Sequence, residues 1–278
     1  MSEIQPTPTV IDAKDRINPF DVRDLWEYRE LIAFLTWREI TVRYKQTVLG
    51  IAWFFGQPAI SLAVYVLVFG EIIGISSGET PYAVFVFSGL LPWRYFSLAL
   101  TRGTTSLVAN AAIISKVYFP RLTIVIAMVL APILDFLVSF VLLIGLMLLF
   151  GISPLSTSLL LLPVFTLLAI ATAFGVSLWL SALNVLYRDI GHLIIFISQM
   201  WFYVTPVLYQ PEQMPPLLRS LFAINPMSGV VEGFRWALLD APNPDFRMMA
   251  ISTGVVVVLV VSGLIAFSRL ERQFGDVI

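Results

Sequence analysis

The stretch SGLLPWRYFSLALTRGTTSLVANAAIISKVYFPR, residues 88–121, decides the fold of this chain. It begins as part of an apolar segment long enough to cross a bilayer, with Arg94 and Arg102 inside it. The apolar part ends near Asn110, and the remainder predicts a short amphipathic turn of helix that Pro120 stops. This order is typical of a membrane protein that contacts a partner on its cytoplasmic side.

The composition places the whole chain in the membrane class. Hydrophobic residues make up 58% of the 278 residues and charged residues 13%, against about 25% charged in soluble domains. The absence of cysteine excludes disulfides and thiolate chemistry. Scattered basic residues and a net charge of −1 predict no nucleic-acid partner. We therefore expect an all-α polytopic membrane protein with a single transmembrane domain over 1–278.

Six stretches are apolar and long enough to span a bilayer, which takes about 20 residues. The six predicted spans are 51–73, 82–109, 122–150, 159–185, 192–210 and 249–268. They form a core over 51–268, between a cytoplasmic segment of 1–50 and a cytoplasmic tail of 269–278. Lysine and arginine are enriched on the cytoplasmic side of membrane proteins. Seven of the 17 lysine and arginine residues lie in 1–45, so both termini are predicted to be cytoplasmic.

Two further elements are predicted around the spans. A helix starting at Asn18-Pro19 should lie in the membrane interface. Its apolar face holds Leu25, Tyr28, Leu31, Ile32 and Leu35, with Trp26 and Trp37 at headgroup depth. On the outer side, 211–240 predicts a re-entrant hairpin of two half-helices, Leu217–Ile224 and Val230–Leu239, split by Asn225-Pro226. An outer gate and a simple lid are both open interpretations.

Signatures of catalysis are weak in this sequence. A GxSxG match at 74–78 lies on the predicted outer side, whereas the single histidine, His192, lies at the cytoplasmic end of a span. One histidine and no cysteine predict no bound metal. The chain also lacks a GxxxxGK[ST] phosphate loop. We expect no enzyme activity and no ATP hydrolysis by this chain.

Arg94, Arg102 and Asp135 are charged residues that lie away from the ends of the predicted spans. Such charges are costly in lipid and face cavities or partners. Counted from the cytoplasmic ends, Arg94 lies ~24 Å deep and Asp135 ~20 Å deep, which predicts a salt bridge or a shared water cluster between them. Arg102, at ~12 Å, either extends toward the cytoplasm or meets an anionic substrate. A purely structural ion pair is the alternative.

Aromatic residues are abundant at the same depth. Most are expected to face lipid, but Trp93-Arg94-Tyr95 lies in the middle of a span beside Pro92. Flat rings can slide along the C–H faces of sugars, as a pore for a long carbohydrate would require. The predicted substrate path comprises Trp53, Phe54, Tyr65, Trp93, Arg94, Tyr95, Arg102, Asp135 and Tyr203.

The ordered motifs SGLLPWRYFSLAL, NAAIISKVYFPR, LNVLYRDI, TPVLY and NPM resemble the membrane subunit of bacterial polysaccharide-exporting ABC transporters. The family includes exporters of O-antigen, capsule and teichoic acid, and the resemblance runs from about Asp24 to Leu239. It implies a homodimer in the bacterial inner membrane with two ATP-binding subunits, which bind ATP and Mg. It also implies a lipid-linked polysaccharide substrate that enters near the interfacial helix, and no cofactor in this chain.

The resemblance further implies two cytoplasmic contacts with the ATP-binding subunit. The first is a coupling helix at 110–121, with Lys116 and Arg121 exposed; the second is the segment after the fourth span. The predicted coupling residues are Ala111, Ile114, Lys116, Tyr118, Phe119, Arg121, Tyr187, Arg188 and Asp189. A drug or lipid exporter of the same architecture is an alternative, as are an intramembrane enzyme and a stand-alone channel.

Overall fold

The computed structural model describes residues 22–44, 52–75, 77–154, 157–211, 215–239, 246–271 and 274. All regular structure in these residues is helical, so the predicted all-α fold is confirmed. The α-helices are α1 (Val22–Glu27), α2 (Arg29–Tyr44), α3 (Ala52–Tyr65), α4 (Tyr82–Ala109), α5 (Ala111–Ile114), α6 (Leu122–Leu130), α7 (Ile133–Leu149), α8 (Leu162–Leu186), α9 (Ile190–Val204), α10 (Pro216–Ile224), α11 (Pro226–Leu239) and α12 (Phe246–Leu270). A π-helical segment, Val66–Ile72, extends α3, and a 3-10 turn, Thr157–Leu161, precedes α8.

The chain is a multi-pass membrane protein. Within the described ranges, five helical stretches are long and apolar enough to cross a bilayer: Phe55–Ile72, Tyr82–Ala109, Leu122–Leu149, Ser158–Leu186 and Phe246–Leu270. The remaining predicted span, 192–210, is a shorter helix, because Thr205 adopts extended backbone after α9. With 15 residues, α9 rises ~22 Å, less than the ~30 Å hydrocarbon core. The count of six spans stays a prediction.

Helix α4 forms the centre of the bundle, with 18 of its 28 residues buried. It packs against α8, α11, α6, α7 and α9, and α12 packs along α8. The contact between α12 and α8 depends on glycine: a Cβ on Gly263 would lie 2.7 Å from the carbonyl oxygen of Gly175. In lipid, helices associate largely through such close packing of small residues.

The third predicted span is broken in the middle. Helix α6 ends at Leu130 and α7 begins at Ile133, with a turn at Ala131 and Pro132 between them. Proline has no N–H for the helical hydrogen-bond ladder, which favours a break at this point. As a result, Asp135 lies in the first turn of α7, where the helix dipole stabilises a carboxylate.

Helix α2 runs alongside the broken third span. Thr36 Oγ1 lies 3.4 Å from the carbonyl oxygen of Ala127, and Arg43 donates to Asp135. Since residue numbers rise along both elements between these two contacts, α2 and the third span run in the same direction. The apolar face predicted for this segment is confirmed, because Leu35 is buried and its neighbours on that face pack against the core.

The tryptophans predicted at headgroup depth, Trp26 and Trp37, are both exposed on the protein surface. Their position in a membrane interface stays a prediction. The predicted helix start at Asn18-Pro19 lies outside the described residues.

The hairpin after α9 consists of the two short helices that the sequence predicts, α10 and α11. Helix α11 begins at Pro226, four positions before the predicted Val230, because Asn225 caps it: Asn225 Oδ1 accepts from the backbone N–H of Met227 at 3.0 Å. The same oxygen accepts from Trp201 Nε1 at 2.9 Å. These bonds fasten the junction between α10 and α11 to the end of α9.

Candidate functional site

A cleft of about 740 Å³ opens between α3, α4, α7 and α9, with the end of α2 at its edge. Three charged side chains line its described wall: Arg43, Arg94 and Asp135. Hydroxyl and amide side chains supply most of the other polar groups, namely Gln57, Ser61, Ser97, Thr101, Ser139, Ser198 and Gln199. The cleft therefore combines polar and aromatic groups at the depth of the membrane spans.

Most of the predicted substrate path lies on this cleft. The six predicted residues that line it are Tyr65, Trp93, Arg94, Tyr95, Asp135 and Tyr203. Arg102 does not line it; its Nη1 lies 3.4 Å from Oε1 of Glu39 on α2. The side chains of Trp53 and Phe54 lie outside the described residues.

The predicted salt bridge between Arg94 and Asp135 is wrong. Asp135 Oδ2 accepts instead from Arg43 Nη1 at 2.8 Å, because α2 extends far enough along the third span to bring Arg43 to this depth. Arg94 lies on the same cleft and donates from Nη1 to Ser61 Oγ at 3.3 Å. A water cluster shared by Arg94 and Asp135 stays a prediction.

The aromatic side chains of the cleft divide into two groups. Trp93 and Tyr95 are only 5% and 2% exposed; the Trp93 ring packs against Phe96 and Phe202, and the Tyr95 hydroxyl donates to the carbonyl oxygen of Val129 at 2.9 Å. These two residues therefore form a rigid wall rather than free ring faces.

The second group is more open. Tyr203 is 58% exposed, and Tyr65 is half-buried with its ring 5.4 Å from that of Phe202. A sliding contact with a sugar ring is therefore available at these two tyrosines rather than at Trp93 or Tyr95.

The predicted coupling element is shorter than expected. Only Ala111–Ile114 forms a helical turn. Lys116 and Tyr118 after it are exposed, whereas Phe119 is 7% exposed and packs into the core. Tyr187, Arg188 and Asp189 are all exposed after α8.

Arg121 is only partly exposed, in contrast to the prediction of an exposed side chain. Its Nη1 donates to the backbone carbonyl oxygen of Glu271 at 3.0 Å, and its guanidinium lies 5.5 Å from the centre of the Phe274 ring. Burial raises the pKa of the Glu271 carboxyl, and the neighbouring charge of Arg121 opposes this shift. Arg121 therefore ties the segment before α6 to the residues after α12.

The two predicted coupling segments follow α4 and α8, two helices that pack together and end on the same side of the bundle. Near those ends, Asn184 Nδ2 on α8 donates to the backbone carbonyl oxygen of Thr104 on α4 at 3.2 Å. The exposed residues Lys116 and Arg188 therefore belong to one end of the bundle, while the cleft opens between the spans.

Comparison with known protein families identifies the family to which the chain belongs. The sequence matches the family described as ABC-2 type transporter over residues 30–239. The chain belongs to the ABC-2 type transporter family. The match covers α2 to α11, and so it includes every described residue of the cleft and both exposed segments.

Relatives of this ABC-2 chain are named as export or transport proteins. The chain is 30% identical to the O-antigen export system permease protein RfbA of Myxococcus xanthus, over 92% of this chain and 98% of the relative. It is 27% identical to the RfbA protein of Klebsiella pneumoniae, over 90% and 95%. It is also similar to the polysialic acid transport protein KpsM of Escherichia coli, at 22% identity over 73% and 78%.

Sequence reasoning missed several polar residues of this ABC-2 chain that the fold brings to the site. Arg43 and Glu39 were assigned to the cytoplasmic segment of 1–50, yet both form ion pairs with residues of the spans. Their separation by four residues places them on one helix face, which is the available signal. Ser61 was part of an apolar stretch, and nothing in its sequence context marks it as the partner of Arg94.

Proposed function

We propose that this chain is the membrane-spanning subunit of an ABC transporter that exports polysaccharide. The observation that carries the proposal is the cleft, in which hydroxyl, amide and aromatic side chains are combined between membrane-spanning helices. The names of the relatives, which refer to O-antigen and polysialic acid, support polysaccharide as the substrate class.

The lining of the cleft suits a polymer of sugars. Serine and glutamine side chains can exchange hydrogen bonds with sugar hydroxyls, and each such bond contributes only ~0.5–1.5 kcal/mol net. Conduction requires contacts that are weak and repeated, so that the ligand can leave as well as enter. The open rings of Tyr65 and Tyr203 add apolar contacts without fixing one register along the chain of sugars.

The complete transporter in this proposal contains two copies of the chain and two ATP-binding subunits, which bind ATP and Mg. The subunits dock on the exposed segments around Lys116 and Arg188. Both termini then lie in the cytoplasm, and the complex resides in the bacterial inner membrane. A lipid-linked polysaccharide enters from the side, near α2 and α3, and α10 and α11 close the outer end.

Disruption of the gene tests the proposed function directly. Lipid-linked glycan is fractionated between the cytoplasm and the cell surface in the wild type, the disrupted strain and a strain complemented with the intact gene. We expect the disrupted strain to retain glycan inside and to lose it from the surface, with recovery on complementation. Normal surface glycan in the disrupted strain would instead favour a drug or lipid exporter, which the names of the relatives do not support.

A further inference from the structure

Arg94 is a charged residue inside a membrane span, and the described residues around it supply few hydrogen-bond acceptors. It lies near the middle of α4 (Tyr82–Ala109) and lines the cleft. Among the described residues, its guanidinium donates a hydrogen bond only to Ser61 Oγ, at a long 3.3 Å. No carboxylate oxygen of those residues lies within 4.0 Å of it.

The chemistry of arginine makes this situation costly. A guanidinium carries five N–H donors and stays protonated in proteins. A charge at the depth of a membrane span is stable only when it faces water, a counter-charge or a ligand. One neutral serine compensates little of that charge, so the cleft is the place where the remaining N–H groups find acceptors.

The charges around the cleft strengthen the argument. Its described wall holds two cations, Arg43 and Arg94, and one anion, Asp135. Asp135 is engaged by Arg43 at 2.8 Å, in a pair whose two side chains are 31% and 28% exposed. The described residues of the cleft therefore carry one net positive charge, and Arg94 is the cation among them that has no carboxylate within ion-pair distance.

We propose that Arg94 is the centre of an anion-binding site in the cleft, which takes a phosphate or carboxylate group carried by the transported ligand. Arginine binds both groups through paired N–H donors. Ser61 supplies a hydroxyl beside the guanidinium, and Arg43 is a second cation that Asp135 holds in place. This inference rests on the proposed export function, since it names a chemical feature of the same substrate.

The anion has two possible sources, which share this chemistry. A phosphate belongs to a lipid headgroup, whereas a carboxylate belongs to an acidic sugar of the polymer. Two probes separate the sources: decyl phosphate for the lipid, and an oligosaccharide of glucuronic acid for the polymer. Decyl maltoside and a glucose oligosaccharide are the matched neutral probes.

The test measures binding of these probes to the purified full chain, with its ATP-binding subunits where they copurify. We expect one acidic probe to bind more tightly than its neutral counterpart. Arg94→Gln should weaken that binding by about tenfold to a hundredfold, as for loss of a charge-assisted contact. Arg94→Lys should retain part of it. Arg102→Gln removes the same charge from α4 away from the cleft and should leave affinity within about twofold.

A second variant keeps the test independent of folding defects. Asp135→Asn removes the one anion of the described wall, so it should raise the affinity for the acidic probe several-fold. The inference is overturned if Arg94→Gln binds as the wild type does, if Asp135→Asn binds more weakly, or if neither acidic probe binds better than its neutral match.

The outcome is separable from that of the proposed function. Loss of surface glycan on gene disruption, together with unchanged binding in Arg94→Gln, would overturn only the anion site. Normal surface glycan together with Arg94-dependent binding would overturn polysaccharide export and leave the anion site supported.

Discussion

Arg235 brings a positive charge into the hairpin region with only 3% of its surface exposed. Its guanidinium donates to the carbonyl oxygens of Pro206 at 2.7 Å and Val207 at 2.6 Å, and it lies 3.8 Å from the centre of the Phe85 ring. Carbonyl dipoles and the ring replace the water that the charge loses on burial. One side chain therefore fastens α11 to α4 and to the segment after α9.

Replacing this arginine should destabilise the protein strongly. Arg235→Met keeps an apolar stem but leaves the carbonyl groups of Pro206, Val207 and Tyr209 without this donor, and we expect a loss of about 3 kcal/mol or more. Thermal unfolding of the purified protein measures it. Arg247→Met is the matched control, because Arg247 is exposed at the start of α12, and it should change stability by less than about 0.5 kcal/mol. Equal effects of the two variants would contradict this role of Arg235.

The ion pair of Arg43 with Asp135, at 2.8 Å, predicts a stronger coupling than the longer-range interaction of Arg94 with Asp135. In a double-mutant cycle on thermal stability, Arg43→Gln and Asp135→Asn together should cost no more than the larger single change. The expected coupling energy is about 0.5–1 kcal/mol, since both side chains are partly exposed. Arg94→Gln and Asp135→Asn should be closer to additive. Stronger coupling for Arg94 than for Arg43 would show that the ion pair is assigned to the wrong arginine.

Glu271 predicts a dependence of stability on pH. Burial raises its pKa above the ordinary 4.5, and Arg121 opposes this only in part. The folded protein therefore holds this proton more tightly than the unfolded chain, so the free energy of unfolding falls as the pH rises through the raised pKa. Glu271→Gln should match the wild type at acidic pH and exceed it at neutral pH. Parallel unfolding curves of the two proteins across this range would exclude the effect.

At the scale of helices, the contact of α12 with α8 depends on the absence of side chains. A Cβ on Gly263 would meet the carbonyl oxygen of Gly175, whereas Gly254 on the same helix has no atom within 4 Å of such a Cβ. Gly263→Ala should therefore destabilise the protein by about 1–3 kcal/mol, as measured by thermal unfolding. Gly254→Ala should be neutral or slightly stabilising. A neutral Gly263→Ala would contradict the close packing of the two helices.

The helices themselves could be predicted from the sequence, because long apolar runs have few alternatives in a membrane. The hairpin followed from its prolines and the short apolar lengths on either side of Asn225. The break before Asp135 was missed, although Pro132 marks it. The partner of Asp135 was beyond sequence reasoning, since the depth that Arg43 reaches depends on how α2 packs against α6. The partial burial of Arg121 likewise depends on the residues after α12, far away in the chain.

At the scale of the whole molecule, the proposed function requires the cleft and the exposed segments at one end of the bundle to be coupled. ATP hydrolysis on a partner can move the cleft only through the elements that the partner contacts. Lys116 and Arg188 are exposed cations on the two segments. Neither lines the cleft, so changes there test coupling without altering the path.

Reversal of these two charges should separate coupling from folding. We expect Lys116→Glu combined with Arg188→Glu to reduce copurification of the ATP-binding subunit and to lower surface glycan several-fold. The thermal unfolding of the chain itself should be unchanged, because exposed charges contribute little to stability. Arg247→Glu, which reverses an exposed charge at the start of α12, is the control. Full export by the double variant would exclude docking on these segments.

The central claim, that the glycan passes through the cleft between α3, α4, α7 and α9, is tested most directly by blocking it. The chain has no cysteine, so Gln199→Cys places a single thiol on the cleft. Val258→Cys places one on the exposed face of α12, where Val258 is 65% exposed. ATP-driven glycan transport into inverted membrane vesicles is then measured before and after reaction with a bulky thiol reagent. The account predicts that modification stops transport in Gln199→Cys and spares Val258→Cys. Undiminished transport by fully modified Gln199→Cys would contradict it.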